Sequence, residues 1–334
     1  MILYIEGCGT IMSNVNYSEI RDILNQQKRN VSHDHFELNN LHDYIMLQVV
    51  KITISRINKE LGPTPSPFSF FVMGSAGRFE QGIWSDQDHG IIYDENTQNA
   101  KEYFLTLGKE ISEGLFQAGY AYCDGGVMAS NPLWCKSLKE WKQQLTDWIL
   151  ESSWESIRNL LIFIDGRSLY GEHTYINQLK EIIFHSSQKE NLLARMLDNT
   201  MHLKKGVGVL GQFLVETHGI HSGMINLKET AFFPFVNSIR LLAIKENILE
   251  TSTLSRLHNL SEKVLPIQDK KLIEEQFVKL LNYRLTLCNH SDYESGHFLE
   301  IEKLSKEQKR EMKNIIKIGT HLYQEIRKHT GKEV

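Results

Sequence analysis

The sequence predicts an α+β chain in which a strand-bearing region flanked by helices is followed by an all-α helical bundle. Three observations carry that expectation. Two short apolar runs, residues 70–73 (Phe70, Phe71, Val72, Met73) and 90–93, lie on either side of a small-residue turn and an acidic stretch, as two strands joined by a loop would. Beyond about residue 140 the apolar residues recur at helical spacing. At 334 residues the chain exceeds the usual size of one compact core, so two domains are expected.

Taken in order, residues 17–61 read as mostly helical, with Met46, Val50, Ile54 and Ile57 spaced for one buried face. Residues 1–62 are therefore expected as an N-terminal helical segment. Pro63, Pro65 and Pro67 stop that helix and deliver an extended chain into the strand that precedes Gly74. Asn96 and Thr97 are positioned to cap a helix carrying Phe104, Leu107, Ile111 and Leu115 on one face. The strand-bearing domain is expected over residues 63–140 and the helical domain over 141–334. In the latter, Leu193, Met196, Leu197 and Met201 form an apolar stripe, as do Val236, Ile239 and Leu242. Ile273, Phe277, Leu280 and Leu281 form another, and Ile315, Ile316, Leu322 and Ile326 the last.

Charge and cysteine content narrow the function classes. A net charge of -4, with no long Lys/Arg block, argues against a nucleic-acid partner. Cys8, Cys123, Cys135 and Cys288 lack the paired spacing of a zinc site or a disulfide framework, so a reducing cytoplasm is the expected setting. The opening residues 1–10 contain Glu6 without a basic leader and do not read as a signal peptide, and no apolar run reaches membrane-spanning length. His89, His202, His218 and His221 make no HExxH pattern, and Gly219 between the last two points to a loop.

Residues 74–88, Gly-Ser-Ala-Gly-Arg-Phe-Glu-Gln-Gly-Ile-Trp-Ser-Asp-Gln-Asp, carry the chemistry. Gly74 and Gly77 let backbone N–H groups approach a phosphate, and Ser75 adds a hydroxyl donor. In a strand, Asp86 and Asp88 point to the same face while Gln87 points away, so the two carboxylates can share a Mg2+ ion. Magnesium prefers hard oxygen ligands and commonly takes one or two carboxylates together with substrate phosphates. A nucleoside triphosphate between the glycine turn and the acid pair satisfies both halves. Arg78 supplies a planar fork for phosphate oxygens. An acidic pair alone also fits a helix cap or a solvated turn, but here Gly74, Ser75, Gly77, Arg78, Glu80, Ser85, Asp86 and Asp88 fall within fifteen positions with strand-like runs on both sides.

Gly74-Ser75 followed by Ser85-Asp86-Gln87-Asp88 resembles the signature of the polymerase beta-like nucleotidyltransferase superfamily. The wider segment from Leu61-Gly62-Pro63 through Arg78, Glu80 and Gln81 resembles the DUF294 group, related to the uridylyltransferase domain of the PII-modifying enzyme. The likeness continues through residues 125–134 and 165–171. Asn226-Leu227-Lys228 and the segment 238–243 are similar to the substrate-binding domain that follows in that group. The resemblance implies a small mixed sheet flanked by helices, catalysis by Asp86, Asp88 and Arg78, and nucleotide contacts from Gly74, Ser75, Gly77, Arg78, Ser85, Lys228 and Arg240. It implies one or two Mg2+ ions, a nucleoside triphosphate substrate and a hydroxyl acceptor, on a protein in the PII-modifying relatives. Enzymes of this superfamily often add a third metal carboxylate from a later strand, for which Asp124 and Asp165 are the candidates. Asp124, before Gly125-Gly126, fits a turn equally well, and Asp165 fits a structural pair with Arg167. Glu80 is expected to orient Arg78 or the turn rather than to bind metal. A second reading of the same motif is a catalytically silent regulatory module that binds ATP or a related ligand and signals through its helical half.

Overall fold

The computed structural model describes residues 16–188, 191–201 and 203–330, so Cys8, His202 and the opening residues 1–10 lie outside the described residues. Two long helices come first, α1 (Tyr17–Val31) and α2 (His35–Leu61). Asn16 and Glu19 close a reciprocal cap on α1, and the Asp34 carboxylate accepts from the Phe36 and Glu37 amides at the start of α2. Helix α2 ends where Gly62 turns to a φ of 88° ahead of Pro63.

Strand β1 (Phe68–Val72), the single helical turn α3 (Gly74–Gly77), β2 (Asp86–Gln87) and β3 (His89–Tyr93) follow. Next come α4 (Gln98–Gln117), capped by Thr97, then β4 (Ala121–Tyr122) and β5 (Cys135–Ser137). Helices α5 (Leu138–Glu151) and α6 (Trp154–Phe163) lead into β6 (Arg167–Gly171). The main sheet is mixed and ordered β5-β3-β1-β6: β1 is antiparallel to both β3 and β6, and β3 is parallel to β5. A separate parallel pair joins β2 to β4.

Alternation along the strands builds two cores. Phe70, Val72, Ile91 and Tyr93 bury against α1, α2 and α4, with Tyr93 and Phe104 stacked 4.6 Å apart. Phe71 and Ile92 face the other way, onto Trp134, Trp141, Trp148 and Phe163 of the α5–α6 side. Strand β6 lies beyond residue 140 in the chain and belongs to the main sheet. It forms an edge of the main sheet, because Ser69–Val72 would otherwise leave their outward-facing ladder groups unpaired.

The rest of the chain comprises α7 (Thr174–Ser187), α8 (Leu192–Asn199), β7 (Met224–Asn226), a π-helical turn Lys228–Phe232, α9 (Phe233–Lys245), α10 (Thr253–Asn259), α11 (Ile267–Leu287), β8 (Phe298–Glu300) and α12 (Lys306–Thr330). A third core gathers Ile239, Phe277, Leu280, Ile315 and Ile316, all from the stripes read in the sequence. Met201 departs from its stripe: α8 ends at Asn199, and Met201 is exposed. The expected all-α character is also qualified by the antiparallel pair β7–β8, whose register sets Met224 opposite Glu300. No helix among the described residues is long and apolar enough to cross a membrane.

Candidate functional site

Gly74 opens the site. Its φ of 55° is left-handed, and a Cβ built on it would lie 2.1 Å from Asp88 Oδ2, so any side chain there would collide with that carboxylate. The contact is tied down by the backbone, since the Met73 amide donates to the Asp88 carbonyl at 2.8 Å. Ser75 lines the same cavity, and its hydroxyl makes no hydrogen bond among the described residues. Gly77 serves packing: a Cβ there would lie 2.1 Å from the Asp165 carbonyl oxygen, and the residue does not line the cavity. Phe79 follows in a left-handed conformation at φ 61°, with its ring set edge-on to Phe36.

Asp86 and Asp88 face the cavity, whereas Gln87 between them is buried and donates to the Ser112 and Tyr120 carbonyls at 3.2 and 3.4 Å. His89 is buried beyond them, and Gln87 Oε1 lies 2.9 Å from its Nε2, so burial holds that imidazole neutral down to about pH 3. The parallel β2–β4 register sets Asp86 beside Ala121 and Gln87 beside Tyr122, and one step further along come Asp88 and Cys123. Donor atoms of Asp86, Asp88 and Cys123 all lie within 4.8 Å of one another. Neither carboxylate forms an ion pair among the described residues. Burial, and then the neighbouring Asp86 charge, push the Asp88 carboxyl up to about 7. Burial likewise raises Asp86, against the Lys228 charge and the Tyr293 hydroxyl, which donates to it. Burial, and then the charge of Asp88, push the Cys123 thiol up to about 12. Asp124 is exposed in a tight turn closed by the Gly126 amide donating to the Cys123 carbonyl at 2.9 Å, and it stands outside the donor group.

Asp165 also stands outside it, at the centre of an arginine cluster. Its carboxylate accepts from Arg78 Nη1 at 2.7 Å, from Arg240 Nε and Nη2 at 3.0 and 2.6 Å, and from Arg256 Nη1 at 2.7 Å. Burial alone would raise this carboxyl, but Arg240, Arg256 and Arg78 outweigh it and hold it well below the usual carboxylate range. The expected partner Arg167 does something else. Its guanidinium reaches Asp43 and the Ala76 carbonyl, because β6 carries it to the α2 side of the sheet. Glu80 accepts from Arg78 Nε at 2.8 Å, which fixes the arginine from a second side and leaves Nη2 without a protein partner among the described residues. Arg284 donates to the Glu80 carbonyl, while its own Nε has no partner among the described residues. Ser85 is buried, with its hydroxyl donating to the Asp86 carbonyl at 3.0 Å and accepting from Gln81, so it braces the approach to the acid pair.

A cavity of about 440 Å³ lies between the sheet side and the helical half. One wall carries Gly74, Ser75, Arg78, Asp86 and Asp88; the other carries Lys228, Asn237, Arg240, Arg284 and Tyr293, with Trp154, Leu161, Phe233 and Val236 giving it an apolar end. The donor set fits a divalent cation: two carboxylates and a thiol converge, and the like charges carry no ion-pair partner among the described residues. The opposite wall is cationic, which suits an anionic ligand. Cys123, Arg256, Arg284 and Tyr293 were not singled out in the sequence. Arg240, Arg256 and Arg284 are each a charge set within an apolar helical pattern, a signal present in the sequence; nothing local marks Cys123 or Tyr293.

Two family models match the chain. The one described as Putative nucleotidyltransferase DUF294 covers residues 18–155, which include the glycine-serine turn, both aspartates and Cys123. The one described as Putative nucleotidyltransferase substrate binding domain covers residues 190–330, which include Lys228, Arg240, Arg256, Arg284 and Tyr293. No curated protein matches.

Proposed function

The chain belongs to the DUF294 nucleotidyltransferase family, and from that premise we propose that it transfers a nucleoside monophosphate from a nucleoside triphosphate to a hydroxyl acceptor with release of pyrophosphate. The observation that carries the reading is the contact between Gly74 and Asp88: the small-residue turn and the acid pair form one surface, facing cationic side chains across a shared cavity. In this reading Asp86 and Asp88 hold Mg2+, which when bound neutralises and orients the triphosphate. Gly74 and the unengaged Ser75 hydroxyl hold the outer phosphates. Arg78, immobilised through Nε and Nη1, offers Nη2 to the same oxygens. Lys228 offsets the charge gathered around the acid pair. Arg240 gives one bond each from Nε, Nη1 and Nη2 to Asp165 and Asn237, and the second N–H groups of Nη1 and Nη2 remain for a phosphate in the cavity it lines. Positioning and charge neutralisation supply most of the rate in such transfers. By the resemblance to the PII-modifying enzymes, the acceptor is a hydroxyl on a protein.

The silent nucleotide-binding module is favoured by one observation: neither Asp124 nor Asp165 joins the acid pair as a third carboxylate. Incubation with each of the four α-labelled triphosphates and Mg2+ separates the two. Label on a protein or small acceptor, lost in Asp86→Asn, supports transfer. Saturable binding with no pyrophosphate released by any of them establishes the sensor.

A further inference from the structure

We infer that Cys123 is the third ligand of the cation site, so that a thiol stands where a third carboxylate would serve and the site favours thiophilic divalent cations, Zn2+ or Cd2+, over Mg2+. The inference rests on the transfer reading only in placing a cation at Asp86 and Asp88. The parallel pairing of β2 with β4 is what puts it there: it carries Asp88, which lines the cavity, and Cys123 one step past the paired residues, to the same end of the two strands. All three donors then lie within 4.8 Å of one another, and the thiol donates to Asp88. The next acid in the chain, Asp124, is turned to solvent by the bend that Gly126 closes.

Packing accounts for only part of this cysteine, which lies at the margin of the second core. Cys135 and Cys288 are buried within apolar clusters, the usual setting of a structural thiol. Cys123 is only half-buried and sits beside two carboxylates that have no ion pair among the described residues. Gly74 reinforces the arrangement, since its missing side chain lets the Asp88 carboxylate lie flat against the turn rather than swing away. Sulfur is a poor ligand for Mg2+, which demands hard oxygen donors, and a good one for softer cations. On binding, the thiol releases its proton to solvent and ligates as the thiolate. Three anionic donors around one divalent ion leave an excess of negative charge, which Lys228 on the facing wall offsets.

The test uses the full chain, reduced and stripped of metal, titrated separately with Cd2+, Mn2+ and Mg2+. A sulfur-to-cadmium charge-transfer absorption is expected, and it is absent in Cys123→Ser. In that variant Cd2+ affinity falls by at least about tenfold, the low end of what losing even an outer partner of a ligand costs, while Mg2+ affinity is unchanged. Cys123→Asp is expected to shift the preference toward Mg2+. Independently of any variant, saturating Cd2+ slows alkylation of Cys123, mapped by peptide mass. An absorption band that survives in Cys123→Ser, or alkylation of Cys123 that bound Cd2+ does not slow, overturns the inference. If Cys123→Ser changes nothing but Asp86→Asn loses Mg2+ and Mn2+, the inference falls and the transfer reading stands. If Asp86→Asn binds every cation as the parent does, it is the transfer reading that falls.

Discussion

Replacing Asp165 by Asn would remove the one negative charge that three buried guanidiniums share. Four hydrogen bonds from Arg78, Arg240 and Arg256 end on that carboxylate, at 2.6–3.0 Å. Asparagine keeps the shape but offers a single acceptor oxygen, and its amide N–H groups meet donors. Removing one partner of a buried ion pair costs about 3–5 kcal/mol, because the charge left behind stays desolvated. Arg256 and Arg240 come from α10 and α9, whereas Asp165 follows α6, so the loss also loosens the helical half from the sheet side. Urea unfolding of parent and variant at pH 7, followed by tryptophan fluorescence, is expected to show a loss in that range. Acid provides a second arm. Folding lowers the Asp165 carboxyl, so the folded state holds fewer protons than the unfolded chain; this stability is complete above about pH 4 and fades as pH falls further. The difference between parent and variant therefore shrinks in acid. A loss below about 1 kcal/mol at neutral pH, within the reach of ordinary surface substitutions, would refute the counterion role.

Asp88 has the opposite sign. Its carboxyl is raised to about 7 on folding, so the cation-free protein loses stability as pH rises from the ordinary carboxylate value through about 7. Asp88→Asn is expected to stabilise the cation-free protein at pH 8 by roughly 1–3 kcal/mol, solvent in the cavity screening the rest, while abolishing transfer. Melting temperatures between pH 5 and 8 check the first effect and labelled triphosphate the second; a destabilised variant would exclude the repulsion argued here. Gly74→Ala drives a methyl group against Asp88 Oδ2, and a transfer rate lowered by roughly 100-fold is expected from misplacement alone, so parental kcat in this variant would count against the shared surface. Lys228→Met removes the cation that opposes the acid pair, so the cation-free protein is expected to melt lower at pH 8 and the KM for triphosphate to rise; an unchanged pH profile of melting would show that the lysine does not act on the pair.

Much of the fold was legible because periodicity is a local property. The two-residue alternation that sends Phe70 and Phe71 to opposite cores is present in the sequence, as is the Thr97 cap of α4. Strand β6 was not legible. Residues 167–171 are half-exposed and carry no apolar run, and only the open ladder of β1 recruits them. The same limit applied to ion pairs. Arg167 lies two residues from Asp165 in sequence, yet that carboxylate is taken by arginines 75 and 91 residues further on and by Arg78, 87 residues before it.

What the sequence determined by itself was the candidate chemistry: a glycine-serine turn, two aspartates sharing one strand face, and a family whose motifs these residues match. Those features depend on neighbours along the chain, and backbone geometry alone aligns them. What only the tertiary structure decided was the company the aspartates keep. Cys123, Lys228 and Tyr293 reach them through a strand register and a facing helical half, and both are set by burial summed over the whole molecule rather than by any short stretch of residues.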